Sequence, residues 1–110
     1  MITKESFGEH IRALREGKKL PLRKVAAALD IDPSTLSKIE RGERSASKEM
    51  LPLLADLFSE SEANLGLILM SDKVAHDLMQ EENPDQILKV AEEKIRYLKN
   101  KNLQQGSLDL

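Results

Sequence analysis

The stretch "DIDPSTLSKIERGERSAS", residues 30–47, decides the fold, because it encodes a short helix that is polar on one face and ends abruptly. Asp32 suits the N-cap position, and Pro33 suits the first helical position, where its missing N–H costs nothing and its φ is preset. Leu36 and Ile39 lie about one helical turn apart and are predicted to face the core. The opposite face of this helix is therefore predicted to meet solvent or a ligand.

The helix before this stretch, "LRKVAAAL", is predicted to pack closely on its neighbours. Val25, Ala26 and Leu29 form its inward face, and their small or branched side chains let another helix approach. Two short helices joined by a tight turn, the second polar on its outer face, form a helix-turn-helix. The second helix of this motif enters the DNA major groove, which is about 12 Å wide. Double-stranded DNA is thus the predicted ligand.

The polar residues of the motif divide into two predicted groups of DNA contacts. Short hydroxyls and a flexible donor near the start of the second helix suit base edges, namely Ser34, Thr35 and Lys38. Cations and hydroxyls at the ends of the motif suit the phosphate backbone, namely Arg23, Lys24, Arg41, Arg44, Ser45, Ser47 and Lys48. Ser47 is also predicted to cap a fourth helix, "KEMLPLLADLF".

The run "LRKVAAALDIDPSTLSKIERGERSAS" resembles the phage-repressor type of helix-turn-helix, the Xre/Cro group, most specifically in "STLSKIERGER". The resemblance covers roughly residues 5–70 and implies five packed helices, transcriptional regulation and dimeric binding to an inverted repeat of half-sites. It assigns base reading to Pro33, Ser34, Ser37 and Lys38. It assigns backbone contacts to Thr35, Arg41 and Arg44.

The same resemblance implies a structural ion pair between Arg15 and Glu40, which would explain an acidic residue on the polar helix. Two positions depart from the family pattern. Leu22 stands where the family often has a phosphate-clamping glutamine, so Arg23 is expected to substitute for it. Asp30 replaces the usual turn glycine, and it accepts a left-handed conformation better than most residues do.

Apolar spacing predicts helices along the whole chain, beginning with Phe7, Ile11 and Leu14, whose helix Gly17 is expected to cap. The predicted fold class is all-α: a five-helix repressor-like DNA-binding domain with a helix-turn-helix, plus a C-terminal helical extension. The predicted boundaries are 1–70 for the DNA-binding domain, 71–100 for a dimerisation extension and 101–110 for a flexible tail.

The last predicted helix carries apolar residues in a 3-4-3 spacing at Leu88, Ala91, Ile95 and Leu98. This stripe is the predicted interface of a homodimer. A dimer is expected because two DNA-binding domains about 34 Å apart combine two weak half-site interactions. The stripe is too short to settle a coiled coil. It could instead pack on the fifth helix of its own chain, and the sequence leaves both alternatives open.

Composition narrows the function classes. Residues 1–50 hold 11 Lys/Arg against 8 Asp/Glu, and residues 51–110 hold 6 against 11, so the half with the motif is the basic half. The absence of cysteine excludes disulfides and thiolate metal ligands. No stretch predicts a membrane helix or signal peptide, so a cytoplasmic protein is expected. No catalytic residues, metal or cofactors are predicted.

The sequence therefore predicts a homodimeric, sequence-specific DNA-binding regulator, either a repressor or an autoregulating controller. The alternative is an antitoxin-type module whose C-terminal helices bind and neutralise a partner protein. A helical enzyme would need a pocket with converging titratable groups, which the sequence does not indicate.

Overall fold

The computed structural model describes residues 5–109, with side chains through residue 103. The described residues form an all-α fold, which confirms the predicted class. Its helices are α1 (Phe7–Gly17), α2 (Leu22–Leu29), α3 (Pro33–Glu40), α4 (Met50–Phe58), α5 (Glu62–Met79) and α6 (Pro84–Asp109). The chain divides into two compact units, one ending at Lys73 and the other beginning at Val74.

The first unit has one apolar core, mostly aliphatic, to which each of its helices contributes. Ile11, Val25, Leu36, Leu54 and Leu65 are almost completely buried, one from each of α1 to α5. The rest of the buried apolar residues are Phe7, Ala26, Leu29, Ile39, Ala46, Leu51, Phe58, Ile68 and Leu69. Burial of these side chains is the main favourable term in folding, at about 25 cal/mol per Å² of apolar surface.

The first three helices end in the same hydrogen-bonded turn, the Schellman motif. In α1 the Lys19 N–H donates to the Glu16 carbonyl, and the Leu20 N–H donates to the Arg15 carbonyl. The left-handed residue of each motif is Lys19 (φ 55°) after α1, Asp30 (φ 57°) after α2 and Gly42 (φ 78°) after α3. Three tight turns of one kind thus direct the first four helices around the core.

Asp30 adopts the left-handed conformation that the sequence predicts for it, with φ 57° and ψ 46°. The prediction that Gly17 caps α1 was wrong, because Gly17 is the last helical residue and the left-handed position falls on Lys19. The turn needs its left-handed residue one step after the helical C-cap Lys18, and lysine occupies that position at a conformational cost of about 1 kcal/mol.

Two predicted helix starts differ in detail. Asp32 occupies the N-cap position of α3, but its side chain makes no capping hydrogen bond. Ser47 does not cap α4, because that helix begins at Met50 with Glu49 as its N-cap residue. A preceding turn intervenes, in which the Met50 N–H donates to the backbone carbonyl of Ser47 rather than to its side chain.

The start of α1 is held more firmly than the sequence indicates. Ser6 and Glu9 form a capping box at the start of α1. The Asp72 carboxylate, on α5, accepts a hydrogen bond from the Phe7 N–H at 2.6 Å. An anion at a helix N-terminus is stabilised by the partial positive charge there.

Gly8 is where α1 meets the C-terminal end of α3. A Cβ added at Gly8 would lie 2.7 Å from the Glu40 carbonyl oxygen and closer still to that of Ile39. Only glycine therefore lets α1 approach the α3 backbone this closely. This close approach fixes the end of α3 against the core and leaves its polar face outward.

The second unit differs from the first in burial. None of its described residues is fully buried, and its exposed apolar side chains include Ile87, Leu88, Val90, Ile95 and Leu98. The backbone of α6 continues to Asp109, beyond the end near residue 101 that apolar spacing predicts. The Asn, Lys, Leu and Gln residues of this segment are compatible with a helix. Between residue 101 and Gly106 there is neither proline nor glycine. Flexibility of residues 101–110 stays a prediction.

Candidate nucleic-acid interface

The recognition-type helix α3 is held by one face and exposed on the other. Leu36 and Ile39 are buried in the core, and the α2–α3 turn through Asp30 sets the direction of the helix. Because α3 has two turns and buries Leu36, Ile39 and the last residue Glu40, its remaining side chains are turned outward or lie at the boundary. The outer face is the one for which the sequence predicts DNA contacts.

The residues predicted to read bases lie together on this face. Pro33, Ser34 and Lys38 are exposed, and Ser37 is partly buried. Ser34, Ser37 and Lys38 are related by spacings of three and four residues, which bring side chains to one side of a helix. These groups are short hydroxyls around one long cation, and they carry no carboxylate among them.

Thr35 and Arg44, both predicted backbone contacts, line one shallow surface depression of about 450 Å³ at the helix-turn-helix corner. Asp30 and Asp32 line the same depression. The two carboxylates reduce the positive potential near Arg44, so this corner is electrostatically mixed. Thr35 and Arg44 as donors, and Asp30 and Asp32 as carboxylates, would face the same stretch of any bound phosphate backbone.

The other predicted backbone contacts lie at the two ends of the motif. Arg23 and Lys24 are exposed in the first turn of α2, and Ser45, Ser47 and Lys48 are exposed between α3 and α4. Ala46, which lies between Ser45 and Ser47, is buried and anchors this loop in the core. The loop is therefore a fixed element that presents polar side chains on either side of an apolar anchor.

Arg41 departs from the arrangement predicted for a free phosphate contact. Its Nε donates to Glu43 Oε2 at 2.6 Å, and its other guanidinium nitrogens contact Glu43 Oε1 at 3.4 Å and Ser37 Oγ at 2.7 Å. The bond to Glu43 raises the pKa of Arg41 above its ordinary value, and the same bond lowers the pKa of Glu43. In this structure the guanidinium is thus directed toward its own chain.

Glu43 was not among the predicted site residues. Arg41 and Glu43 are two positions apart, a spacing that does not bring side chains together on a helix. They meet because Gly42 reverses the chain with φ 78° and ends α3 between them. The "ERGER" pattern carried this signal, since an acid and a base flanking a helix-ending glycine can pair across the turn.

Arg15 and Glu40 lie behind the interface and support it. Arg15 Nε donates to Glu40 Oε2 at 2.8 Å, and Arg15 Nη2 donates to Glu40 Oε1 at 3.0 Å. A third guanidinium bond reaches the Leu20 carbonyl at 3.0 Å. Hydrogen bonding to Glu40 raises the pKa of Arg15. One side chain therefore ties the last turn of α3 to the turn between α1 and α2.

The predicted dimerisation residues lie on α6 in the second unit. Leu88, Ile95 and Leu98 are 42%, 52% and 51% exposed, and Ala91 is partly buried. A groove of about 730 Å³ lies alongside, where Ile87, Val90 and Ala91 are flanked by Glu81, Glu82 and Lys94. The second unit thus presents an apolar strip with charged edges.

The described part of the chain carries neither a metal-binding cluster nor a membrane-spanning helix. Among the side chains described, those of residues 5–103, no cluster of three or more His, Cys, Asp or Glu has a metal-binding arrangement. No helix among those residues combines the length and apolar character needed to span a membrane.

Comparison with known proteins places these features in context. The family model described as Helix-turn-helix matches residues 11–65, which is half of the chain and includes α2, α3 and the predicted DNA contacts. The chain is 43% identical over 44 residues to the HTH-type transcriptional repressor RghR of Bacillus subtilis (strain 168). That match covers 40% of this chain and 33% of the relative, so the chain matches about a third of that repressor's length.

A solved structure resembles nearly the whole chain. The clp gene regulator ClgR from Corynebacterium glutamicum matches with a TM-score of 0.52 at 23% identity, over 89% of this chain and 90% of that one. At this identity the likeness establishes the fold alone.

Proposed function

Because the chain belongs to the Xre/Cro-like helix-turn-helix family of DNA-binding regulators, we propose that it is a sequence-specific transcriptional regulator that binds double-stranded DNA as a homodimer. The observation that carries the proposal is the outer face of α3. Exposed hydrogen-bond donors lie on this face, and the opposite face of the helix is buried in the core. Such a helix fits a major groove without disturbing the core. We propose repression or autoregulation in the cytoplasm as its role, with no catalytic step.

Base reading is assigned to Pro33, Ser34, Ser37 and Lys38. A lysine can donate to the O6 and N7 acceptors of guanine, whereas serine hydroxyls donate or accept and pack closely in the groove. Pro33 is exposed at the first position of α3, where its apolar ring would contact a base edge or a thymine methyl group. Lys38 is thus expected to give the largest contribution to base discrimination.

Phosphate contact is assigned to exposed cations and hydroxyls around α3. They are Arg23, Lys24, Arg44, Ser45, Ser47 and Lys48, together with the partly buried Thr35, and the sequence adds Arg41. These groups carry affinity and position the helix, but they do not read sequence. The half of the chain that contains them is basic although the whole chain is acidic.

Homodimerisation is assigned to α6, through Leu88, Ala91, Ile95 and Leu98. What supports it is exposure: three of these side chains are about half accessible in the single chain. Covering them would remove apolar surface from water, which favours association. A partner protein on this same strip is the alternative, and it would make the chain an antitoxin-type module.

The first experiment is selection of bound sequences from a pool of random duplexes at near-physiological salt, which suppresses non-specific phosphate attraction. The proposal predicts recovery of an inverted repeat whose half-sites are separated by about one helical turn. Recovery of a single half-site would contradict the dimer, and recovery of no consensus would contradict sequence-specific binding.

The second experiment tests the dimer in the absence of DNA. Sedimentation equilibrium of the full chain is expected to give twice the chain mass, and Ile95→Glu with Leu98→Glu is expected to give the single-chain mass. Lys99→Glu is a matched control, since it changes charge on the same helix at an exposed polar position. A monomeric parent chain would favour the partner-protein alternative.

A further inference from the structure

We infer that Arg41 acts on DNA through Ser37 rather than through a phosphate, and that Glu43 holds it there. The three side chains form one hydrogen-bonded cluster, in which Arg41 donates to both Glu43 and Ser37. This inference rests on the proposed function, and it changes the role of Arg41 from a phosphate contact to a positioning residue for a base-reading serine.

The geometry of Glu43 explains why Arg41 is retained on its own chain. Arg41 Nε donates to Glu43 Oε2 at 2.6 Å, and Arg41 Nη2 lies 3.4 Å from Glu43 Oε1. The ion pair therefore approaches the bidentate form. Gly42 and the Schellman turn fix the Glu43 backbone, whose N–H donates to the Lys38 carbonyl at 2.8 Å. The carboxylate is thereby held next to the end of α3.

The bond to Ser37 defines which hydrogen bonds that hydroxyl can make. A serine hydroxyl has one O–H donor and two acceptor lone pairs, and by itself it reads donor and acceptor edges alike. Arg41 Nη1 lies 2.7 Å from Ser37 Oγ and occupies one lone pair. Donation from a cation also polarises the hydroxyl, so its O–H becomes the better donor.

Ser37 is consequently predicted to donate to a base acceptor rather than to accept from a base amino group. Acceptors in the major groove are guanine O6 and N7, adenine N7 and thymine O4. The cytosine amino group would be disfavoured at that position. A residue type that is permissive by itself thus gains a preference from two neighbours that do not touch the DNA bases.

The cluster also limits the attraction of the interface for DNA in general. The Glu43 carboxylate neutralises the Arg41 guanidinium at the end of α3. Both side chains are about half exposed, Glu43 at 54% and Arg41 at 51%. A phosphate that binds Arg41 would have to compete with that carboxylate for the guanidinium charge. Because phosphate contacts release counterions, a free Arg41 would add one contact and steepen the dependence of binding on salt by about 0.9 in logarithmic slope.

The test uses the full chain and the duplex obtained by selection, together with every single base-pair variant of one half-site. Binding of the parent chain, Ser37→Ala, Arg41→Ala and Glu43→Gln is measured at several salt concentrations. Glu49→Gln is the matched control. Glu49 is exposed, and in the described residues its side chain makes no hydrogen bond or ion pair, so this change removes one charge without releasing an arginine.

Three results are expected. Ser37→Ala, Arg41→Ala and Glu43→Gln weaken discrimination at the same base pair by roughly 2- to 10-fold, the size of one hydrogen bond. Arg41→Ala leaves the salt slope unchanged. Glu43→Gln steepens it by about 0.9 beyond any change caused by Glu49→Gln.

Other results would overturn the inference in distinguishable ways. If Arg41→Ala weakens binding to all variants equally and flattens the slope by about 0.9, Arg41 is a phosphate contact. If Glu43→Gln changes base-pair discrimination and the salt slope no more than Glu49→Gln does, the Glu43 carboxylate affects DNA binding only through its negative charge. Both results leave the proposed function intact, whereas a parent chain that selects no sequence at all overturns the proposed function and this inference together.

Discussion

Arg15 and Glu40, twenty-five positions apart in sequence, form a two-bonded ion pair between α1 and the last residue of α3. The Glu40 side chain is 5% exposed and that of Arg15 is 14% exposed. Arg15 also bonds the Leu20 carbonyl, so one guanidinium links the end of α3 to both α1 and the turn that follows it. The orientation of the proposed recognition helix therefore depends on a pair that faces away from the DNA.

Arg15→Met is expected to lower the free energy of unfolding by about 3 kcal/mol, because it leaves the buried Glu40 carboxylate without its partner. Chemical denaturation measures this change. Arg12→Met is the control, since Arg12 is 58% exposed and its pair with Glu16 is solvated, and an exposed pair contributes about 0.5 kcal/mol. Equal losses for the two variants would contradict the structural role of the buried pair.

Gly8→Ala is expected to destabilise the protein by about 1 to 3 kcal/mol, the range for overpacked sites. The new methyl group would meet the carbonyl oxygens of Ile39 and Glu40, which belong to backbone and cannot rotate away. Thermal unfolding checks the change.

The control for that substitution is Gly17→Ala. Gly17 also lies in α1, and a Cβ there would meet no atom within 4 Å. This change is expected to stabilise the helix by up to about 1 kcal/mol, since alanine is the better helix former. Destabilisation of similar size by both substitutions would mean that the close approach to α3 is not the cause of the loss at Gly8.

Asp30→Gly is expected to stabilise the protein by about 1 kcal/mol, because Asp30 holds a left-handed conformation that costs glycine nothing. The carboxylate also lies at the C-terminal end of α2, where negative charge is unfavourable. Asp30→Asn separates the two causes, since asparagine tolerates the same conformation without the charge. Denaturation midpoints that are lower for the glycine variant than for the parent chain would refute the prediction.

Arg41→Ala is expected to raise the pKa of Glu43 toward its ordinary value, since the hydrogen bond from Arg41 is the main cause of its depression. Because the folded pKa is the lower one, the pair favours folding above the unfolded pKa of Glu43. That contribution disappears as the pH falls through the folded pKa. Carboxyl carbon NMR, titrated from neutral pH into the acid range, measures the midpoint, and identical midpoints in the two chains would contradict the pair.

Local sequence signals predicted the helices and their ends well where one residue controls the outcome. Pro33 begins α3 and Gly42 ends it, because a fixed φ and a freely positive φ are properties of those residues themselves. The same reasoning was wrong at Gly17 and Ser47. At both positions the register of the turn was set by hydrogen bonds between backbone groups several residues apart.

The sequence by itself determined the fold class, the family and the polar face of α3, since apolar periodicity and the "STLSKIERGER" pattern are local properties. The tertiary structure decided the geometry with which groups meet, including contacts that neither the residue pattern nor the resemblance predicted. Arg15 reaches Glu40 where α1 lies close to the end of α3 at Gly8, it also reaches Leu20 where the chain turns after α1, and Arg41 meets Glu43 because the chain reverses at Gly42. Contacts of this kind depend on distances between backbone segments, which helical spacing along one segment does not determine.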